Sequence, residues 1–175
     1  MSGKIISVIN QKGGVGKTTT VINLAAGLTM KDKKILVIDL DPQGNATTGL
    51  GLSNTDNAEQ TIYSVLNGTK KISEVIQKTK IENLDLITSN VDLSGLEVET
   101  AGDSRKAFIL KERIMAYLND SRASYDYILI DCPPSLSLLT IMALVASNSL
   151  VVPLQTEFFA LEGLTQLMKT IERIK

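Results

Sequence analysis

Residues 10–20 read NQKGGVGKTTT and combine glycines, lysines and threonines at a spacing that suits phosphate chemistry. Gly16, Lys17 and Thr18 fit the end of the pattern G-x-x-x-x-G-K-[ST]. In that pattern a glycine-rich turn offers backbone N–H groups to phosphate oxygens, because side chains would block so close an approach. The lysine ammonium contacts the terminal phosphates and the hydroxyl binds Mg²⁺. The stretch therefore predicts a triphosphate site with Mg²⁺.

The same stretch departs from the pattern at its beginning. The first glycine belongs at position 11, where the chain has Gln11, and a second lysine, Lys12, follows. Lys12 either points out of its own site or is an ordinary solvated lysine, and the spacing favours the first interpretation. The residues predicted to bind the nucleotide phosphates are Gly13, Gly14, Val15, Gly16, Lys17, Thr18 and Thr19.

Three aspartates follow apolar runs elsewhere in the chain. Asp39 and Asp41 end the stretch ILVIDLD, and Asp131 ends YDYILID. An isolated aspartate at such a place can be a helix cap or a turn residue. Beside a phosphate-binding loop, Asp39 and Asp41 are instead predicted to manage Mg²⁺ and the attacking water. Thr18 and Asp131 are predicted to bind Mg²⁺, Asp131 through a coordinated water.

The elements that must position these residues alternate between strands and helices. Apolar runs predict strands at 4–10, 34–39, 84–88, 126–131 and 149–153. Amphipathic segments predict helices at 17–31, 58–67, 105–119, 137–146 and 160–174, a short helix at 70–77, and a mostly irregular connection at 90–103. The predicted fold class is α/β, a mostly parallel sheet with helices on both faces, of the P-loop NTPase type.

Composition limits the function classes. With 175 residues, 43% hydrophobic, the chain is expected to form one α/β domain over residues 1–175. Net charge is −1, which gives no global electrostatic reason to bind nucleic acid. No apolar stretch approaches the about 20 residues of a membrane span, and the N-terminus lacks a signal-peptide pattern, so a cytoplasmic location without a membrane anchor in this chain is expected.

Four segments together resemble a known family. KGGVGKTT, VIDLDPQGNAT, YILIDCPPS and PLQTEFFALEGL are similar to the ParA/Soj chromosome and plasmid partition ATPases, within the deviant Walker A group that also holds MinD and the nitrogenase iron protein. The resemblance implies ATP as the nucleotide and an ATP-dependent homodimer in which Lys12 crosses to the partner's ATP. It also implies that Lys17 acts in catalysis, that Asp41 orients the attacking water, and that Asp39 assists at the metal.

The resemblance further implies a role in DNA segregation, with a ParB-like centromere-binding protein and nonspecific DNA as partners and a nucleoid-associated location. The segment 153–164 would lie near the nucleotide and the dimer interface, through Gln155, Glu157 and Phe158. Family members continue beyond the point matching Lys175, so the chain is expected to lack a C-terminal part that recognises adenine and binds DNA.

Two alternatives stay in view. A membrane-associated spatial regulator of the MinD type shares the loop, although DPQGN favours the partition branch. An electron carrier of the iron protein type needs two cysteines per subunit to hold its cluster, whereas Cys132 is the single cysteine of the chain.

Overall fold

A parallel sheet forms the centre of the molecule. The computed structural model describes residues 3–53, 59–99, 104–120, 124–156 and 160–174. Within these ranges the strands are β1 (Lys4–Val8), β2 (Ile35–Asp39), β3 (Gln77–Lys78), β4 (Leu84–Ile87), β5 (Tyr127–Asp131) and β6 (Ser149–Val151). Their spatial order is β3-β4-β2-β5-β1-β6, and all neighbours are parallel except the pair β3 and β4.

Helices cover both faces of this sheet. They are α1 (Lys17–Thr29), α2 (Asn45–Gly49), α3 (Ile62–Leu66), α4 (Ile72–Val75), α5 (Leu93–Glu99), α6 (Ile109–Leu118), α7 (Leu138–Ala146) and α8 (Ala160–Ile174), with a 3-10 helix at Ser104–Phe108. The predicted fold class, an α/β sheet with helices on both faces, is confirmed.

Alternation along each strand divides the core into two layers. In β2, Ile35 and Val37 pack on the face that Val21 and Ala25 of α1 cover. Leu36 and Ile38 of the same strand point to the other face, which packs against the apolar residues of α3, α4, α6 and α7. Because both faces of β2 are covered, all of its residues are buried, and its sequence is apolar up to the closing Asp39.

The differences from the predicted elements have local causes. The helix predicted at 105–119 begins as a 3-10 turn and becomes α-helical at Ile109. The predicted short helix at 70–77 ends at Val75, and Gln77 already pairs with Leu86 as an edge strand. The helix predicted at 58–67 begins at Ile62, directly after Thr61 with its extended backbone, and Ala58 lies outside the described residues.

The topology places three strand ends side by side. β5 lies between β1 and β2, so that Asp131 is in register with Val8 on one side and with Asp39 on the other. The loop after β1, the segment after β2 and the end of β5 therefore meet at the carboxyl edge of the sheet, where open α/β sheets bind ligands.

Among the described helices, none combines the length and the apolar character that crossing a bilayer requires.

Candidate functional site

The glycine loop joins β1 to α1 in an open turn. Gly14 and Gly16 have φ angles of 72° and 86°, in the left-handed region that glycine occupies without strain. A Cβ atom built at either residue would meet nothing within 4 Å, so conformation rather than crowding in the protein calls for glycine. Gly16 directly precedes α1. The unpaired N–H groups and the positive dipole end of this helix thus attract an anion bound at the loop.

Lys17 lies in the first turn of α1 and is buried, with 7% of its surface exposed. Its Nζ donates a hydrogen bond of 2.9 Å to the backbone carbonyl of Lys12 across the loop. Burial lowers the pKa of Lys17, and the negative charges of Asp131 and Asp41 partly oppose this. The ammonium is therefore bonded to a neutral acceptor, the Lys12 carbonyl. A phosphate oxygen can replace this carbonyl or bind the ammonium beside it.

Thr18 and Asp131 meet across the loop. The Thr18 hydroxyl donates a hydrogen bond of 2.7 Å to Oδ2 of Asp131. Asp131 is fully buried, and its second oxygen, Oδ1, has no hydrogen-bond partner within the described part of the chain. Burial raises the pKa of Asp131 to about 7; the Thr18 hydrogen bond lowers it, whereas the charge of Asp39 raises it further.

These two residues fit a hydrated Mg²⁺. A buried carboxylate oxygen without a partner is costly, and a cation or its water would satisfy it. No group of three or more acidic, cysteine or histidine side chains placed to hold a metal occurs in the described residues. Mg²⁺ usually binds through one or two protein oxygens together with substrate phosphates and water.

Asp41 lies on the wall of a cavity above the glycine loop, with 6% of its surface exposed. Its Oδ1 accepts the backbone N–H of Gln43 at 2.9 Å. The cavity has a volume of about 410 Å³. It is lined by Gly13, Gly14, Gly16, Lys17, Thr18, Thr19, Asp41, Asn45 and Pro134. Val15 is buried and does not line it.

Asn45 and Pro134 were not predicted as site residues. Both follow the predicted acids closely, Asn45 in DPQGN and Pro134 in DCPP, so proximity in sequence was an available signal.

A larger cavity of about 520 Å³ lies at the other end of the strands. There the carboxylate of Asp85 accepts hydrogen bonds from Lys78 and Tyr125.

Asp39 occupies a different position from the other acids. It is fully buried and does not line the cavity. Its Oδ2 accepts both the backbone N–H and the hydroxyl of Thr47, and its Oδ1 accepts the backbone N–H of Asp41. Burial raises the pKa of Asp39 to about 6, although these hydrogen bonds oppose the shift. Its metal role stays a prediction, and protein donors already engage both of its oxygens.

Lys12 lies in the glycine loop and is exposed. Its backbone N–H donates to Oδ1 of Asn10, and its carbonyl receives Lys17. Gln11, in the place of the usual glycine, donates from its side chain to the carbonyl of Gly163 in α8 at 3.0 Å. The departure from the P-loop pattern thus ties the loop to the last described helix.

The segment after β6 also contacts the loop. Gln155 donates from Nε2 to the carbonyl of Gly14 at 3.1 Å, as its predicted place near the nucleotide implies. Asn10 donates from Nδ2 to the carbonyl of Pro153 at 2.8 Å. Glu157 and Phe158 lie outside the described residues.

The sequence of the chain is similar to a known family and to curated proteins. The family profile named AAA domain matches residues 3–175. Over 173 residues the chain is 48% identical to the sporulation initiation inhibitor protein Soj of Bacillus subtilis, covering 99% of this chain and 66% of that protein. The chain thus spans just under two thirds of the length of this curated relative.

Solved structures share the fold over almost the whole chain. A cobyrinic acid a,c-diamide synthase from Mycobacterium smegmatis, crystallised with an ATP analogue and magnesium, superposes with a TM-score of 0.88 at 37% identity, covering 98% of this chain and 68% of that one. A plasmid partition protein from Borrelia burgdorferi superposes with a TM-score of 0.87 at 30% identity, covering 100% of this chain and 75% of that one. The chain belongs to the AAA domain family, and its predicted resemblance to the ParA/Soj partition ATPases is confirmed over nearly its whole length.

Proposed function

We propose that this chain carries the phosphate and magnesium machinery of an ATP-hydrolysing dimerisation switch for DNA segregation. The observation that carries the proposal is the contact between Thr18 and Asp131 beside the open glycine turn. Thr18 and Lys17 line the cavity, and directly behind Thr18 lies the buried Asp131, whose Oδ1 has no partner among the described residues. The Soj-like sequence and the nucleotide-bound neighbour support ATP with Mg²⁺ as the ligand.

Each residue then has a definite role in ATP hydrolysis. The backbone N–H groups of residues 13–19 hold the phosphates, and Lys17 neutralises charge at the terminal pair. Thr18 and Asp131 would hold Mg²⁺, Asp131 by way of a water, and the ion would supply positive charge to the phosphates. Asp41, on the cavity wall, orients the attacking water. Hydrolysis needs positioning and charge neutralisation rather than a strong base.

Lys12 is the residue through which we propose that the dimer forms. Its side chain is exposed, and its backbone carbonyl accepts a hydrogen bond from Nζ of Lys17. A cation brought by a second subunit to the γ-phosphate acts as an arginine finger does, and such groups contribute about 10³-fold or more in rate. ATP would join two protomers, and hydrolysis would separate them.

The partners follow from the partition relatives. We propose a ParB-like centromere-binding protein and nonspecific DNA as partners, in the cytoplasm at the nucleoid, with residues 1–175 forming part of a single ATPase domain. The net charge of −1 means that DNA binding would need a local basic surface rather than an overall positive charge.

The proposal is tested by ATP hydrolysis and DNA retention of the full-length protein. Asp41→Ala should retain ATP affinity and lose at least about 100-fold in hydrolysis rate, because the water is no longer oriented. Asp32→Ala, at an exposed turn after α1, is the matched control and should hydrolyse normally. Wild-type hydrolysis without Mg²⁺, or full activity in Asp41→Ala, would contradict the proposal.

The biological role is tested in a second assay. With ATP, the protein should be retained on nonspecific double-stranded DNA, and it should be released when ADP replaces ATP. Vesicles with anionic lipids form the other arm. ATP-dependent retention on vesicles and none on DNA would support the MinD-type alternative and overturn the partition role.

A further inference from the structure

Buried hydrogen bonds connect the ends of β2 and β4 through the first turn of α2. Thr47 donates to Oδ2 of Asp39 twice, from its backbone N–H at 2.8 Å and from its hydroxyl at 2.7 Å. The same hydroxyl oxygen accepts the backbone N–H of Ser89 at 3.1 Å. Asp39, Thr47 and Ser89 each have no exposed surface. The three residues, 8 and 42 positions apart in sequence, therefore form one buried polar unit.

This unit holds the backbone of Asp41 from both sides. The N–H of Asp41 donates to Oδ1 of Asp39 at 3.2 Å. Its carbonyl accepts the hydroxyl of Ser89 at 2.5 Å and the N–H of Gly44 at 2.9 Å. The side chain of Asp41 is thereby presented at the cavity wall while its main chain is fixed.

We propose that Thr47 and Ser89 are positioning residues for Asp41, with Asp39 as the group that connects Thr47 to it. The inference rests on the proposed role of Asp41 in ATP hydrolysis. Neither hydroxyl touches the cavity, so each acts through Asp41 rather than on the substrate. Placement errors of about 1 Å can cost roughly 100-fold in rate, which gives such a support a functional value beyond stability.

The burial of these hydroxyls points the same way. Both hydroxyls are buried and hydrogen-bonded, so loss of either would leave a buried oxygen of Asp39 or Asp41 short of one donor. Thr61 shows the contrast, since it is also fully buried but its hydroxyl has no partner among the described residues. The hydroxyl of Thr47 donates to Asp39 and that of Ser89 donates to the carbonyl of Asp41, whereas the hydroxyl of Thr61 has no partner among the described residues.

The test compares Thr47→Val, Thr47→Ser and Ser89→Ala in the full-length protein, with Thr61→Val as the matched control. Thr47→Val keeps the shape and removes the hydroxyl; we expect kcat for ATP hydrolysis to fall about 10- to 100-fold while the ATP dissociation constant stays within about threefold. Thr47→Ser should restore most of kcat, Ser89→Ala should lower kcat in the same way, and Thr61→Val should match wild type. If Thr47→Val does not fold, Ser89→Ala and Thr47→Ser still decide the question.

A double-mutant cycle separates positioning from general structure. In the Asp41→Ala background, Thr47→Val should lower kcat no further, because the group it positions is gone. Additive losses, or a wild-type kcat in both Thr47→Val and Ser89→Ala, would overturn the inference. Full activity in Asp41→Ala would instead refute the proposed function, so the two failures are distinguishable.

Discussion

Thr18 donates a hydrogen bond of 2.7 Å to Asp131, a residue 113 positions further along the chain. Thr18 lies in the first turn of α1, and Asp131 ends β5, the strand beside β1. The contact joins two of the three residues predicted to bind magnesium, Asp39 being the third, and it leaves one oxygen of Asp131 without a described partner. The following predictions concern this pair and the lysines around it.

Removal of the Thr18 hydroxyl should raise the Mg²⁺ concentration that ATP binding requires. We expect Thr18→Ala to raise the Mg²⁺ concentration needed for half-maximal ATP binding by about tenfold or more, because one direct oxygen ligand is lost. Thr18→Ser should restore it. Thr29→Ala, which removes a hydroxyl bonded to the Ala26 carbonyl within α1, is the control. Calorimetric titrations at several Mg²⁺ concentrations measure the effect, and an unchanged Mg²⁺ requirement in Thr18→Ala would argue against this ligand.

Asp131 should make the metal-free protein less stable as pH rises. Its pKa in the folded state is about 7, above the usual value of an unfolded aspartate. The folded protein therefore favours the protonated form, and stability is lost between about pH 4 and pH 7. Asp131→Asn does not titrate there, so its free energy of unfolding should exceed that of wild type by an amount that grows to roughly 1–3 kcal/mol above pH 7.

Denaturant unfolding without Mg²⁺ or nucleotide, from pH 5 to pH 8, measures this difference. Asp39 is present in both proteins, so most of its own titration cancels in the comparison. Mg²⁺ with nucleotide should stabilise wild type more at pH 8 than at pH 6. A stability difference that does not change with pH would show that Asp131 ionises normally in the folded protein.

Replacement of Lys17 should separate nucleotide binding from folding. Lys17 is buried, and burial lowers the pKa of its ammonium, so the free protein gains little from the charge. We expect Lys17→Met to lower ATP affinity by about 100-fold and to change the free energy of unfolding by no more than about 1 kcal/mol. Lys34→Met, at an exposed lysine before β2, should change neither quantity. Thermal unfolding measures the stability and ATP titration measures the affinity. A Lys17→Met protein that is strongly destabilised, or that binds ATP as tightly as wild type, would contradict the prediction.

The sequence predicted the parts of the site that depend on local pattern. The glycine loop with its helix, and the apolar strands ending in Asp39 and Asp131, are each contiguous, so their places at one sheet edge followed from parallel topology. The sequence did not predict the parts of the site that depend on tertiary contacts. Helix α2 has only five residues, too few for a periodic signal, and Thr47 in its first turn bonds to Asp39. No spacing rule connects Ser89 to Asp41, because the contact exists only once β4 lies beside β2.

Lys12 carries the central claim, that ATP joins two subunits through a lysine offered from the glycine loop. The direct measurement is light scattering of the full-length protein with a non-hydrolysable ATP analogue and Mg²⁺, with wild type, Lys12→Ala and the exposed-lysine control Lys33→Ala. The account predicts dimers for wild type and Lys33→Ala. It predicts monomers for Lys12→Ala with an ATP dissociation constant within about threefold of wild type. Dimers of Lys12→Ala that hydrolyse ATP at the wild-type rate would contradict the cross-subunit role.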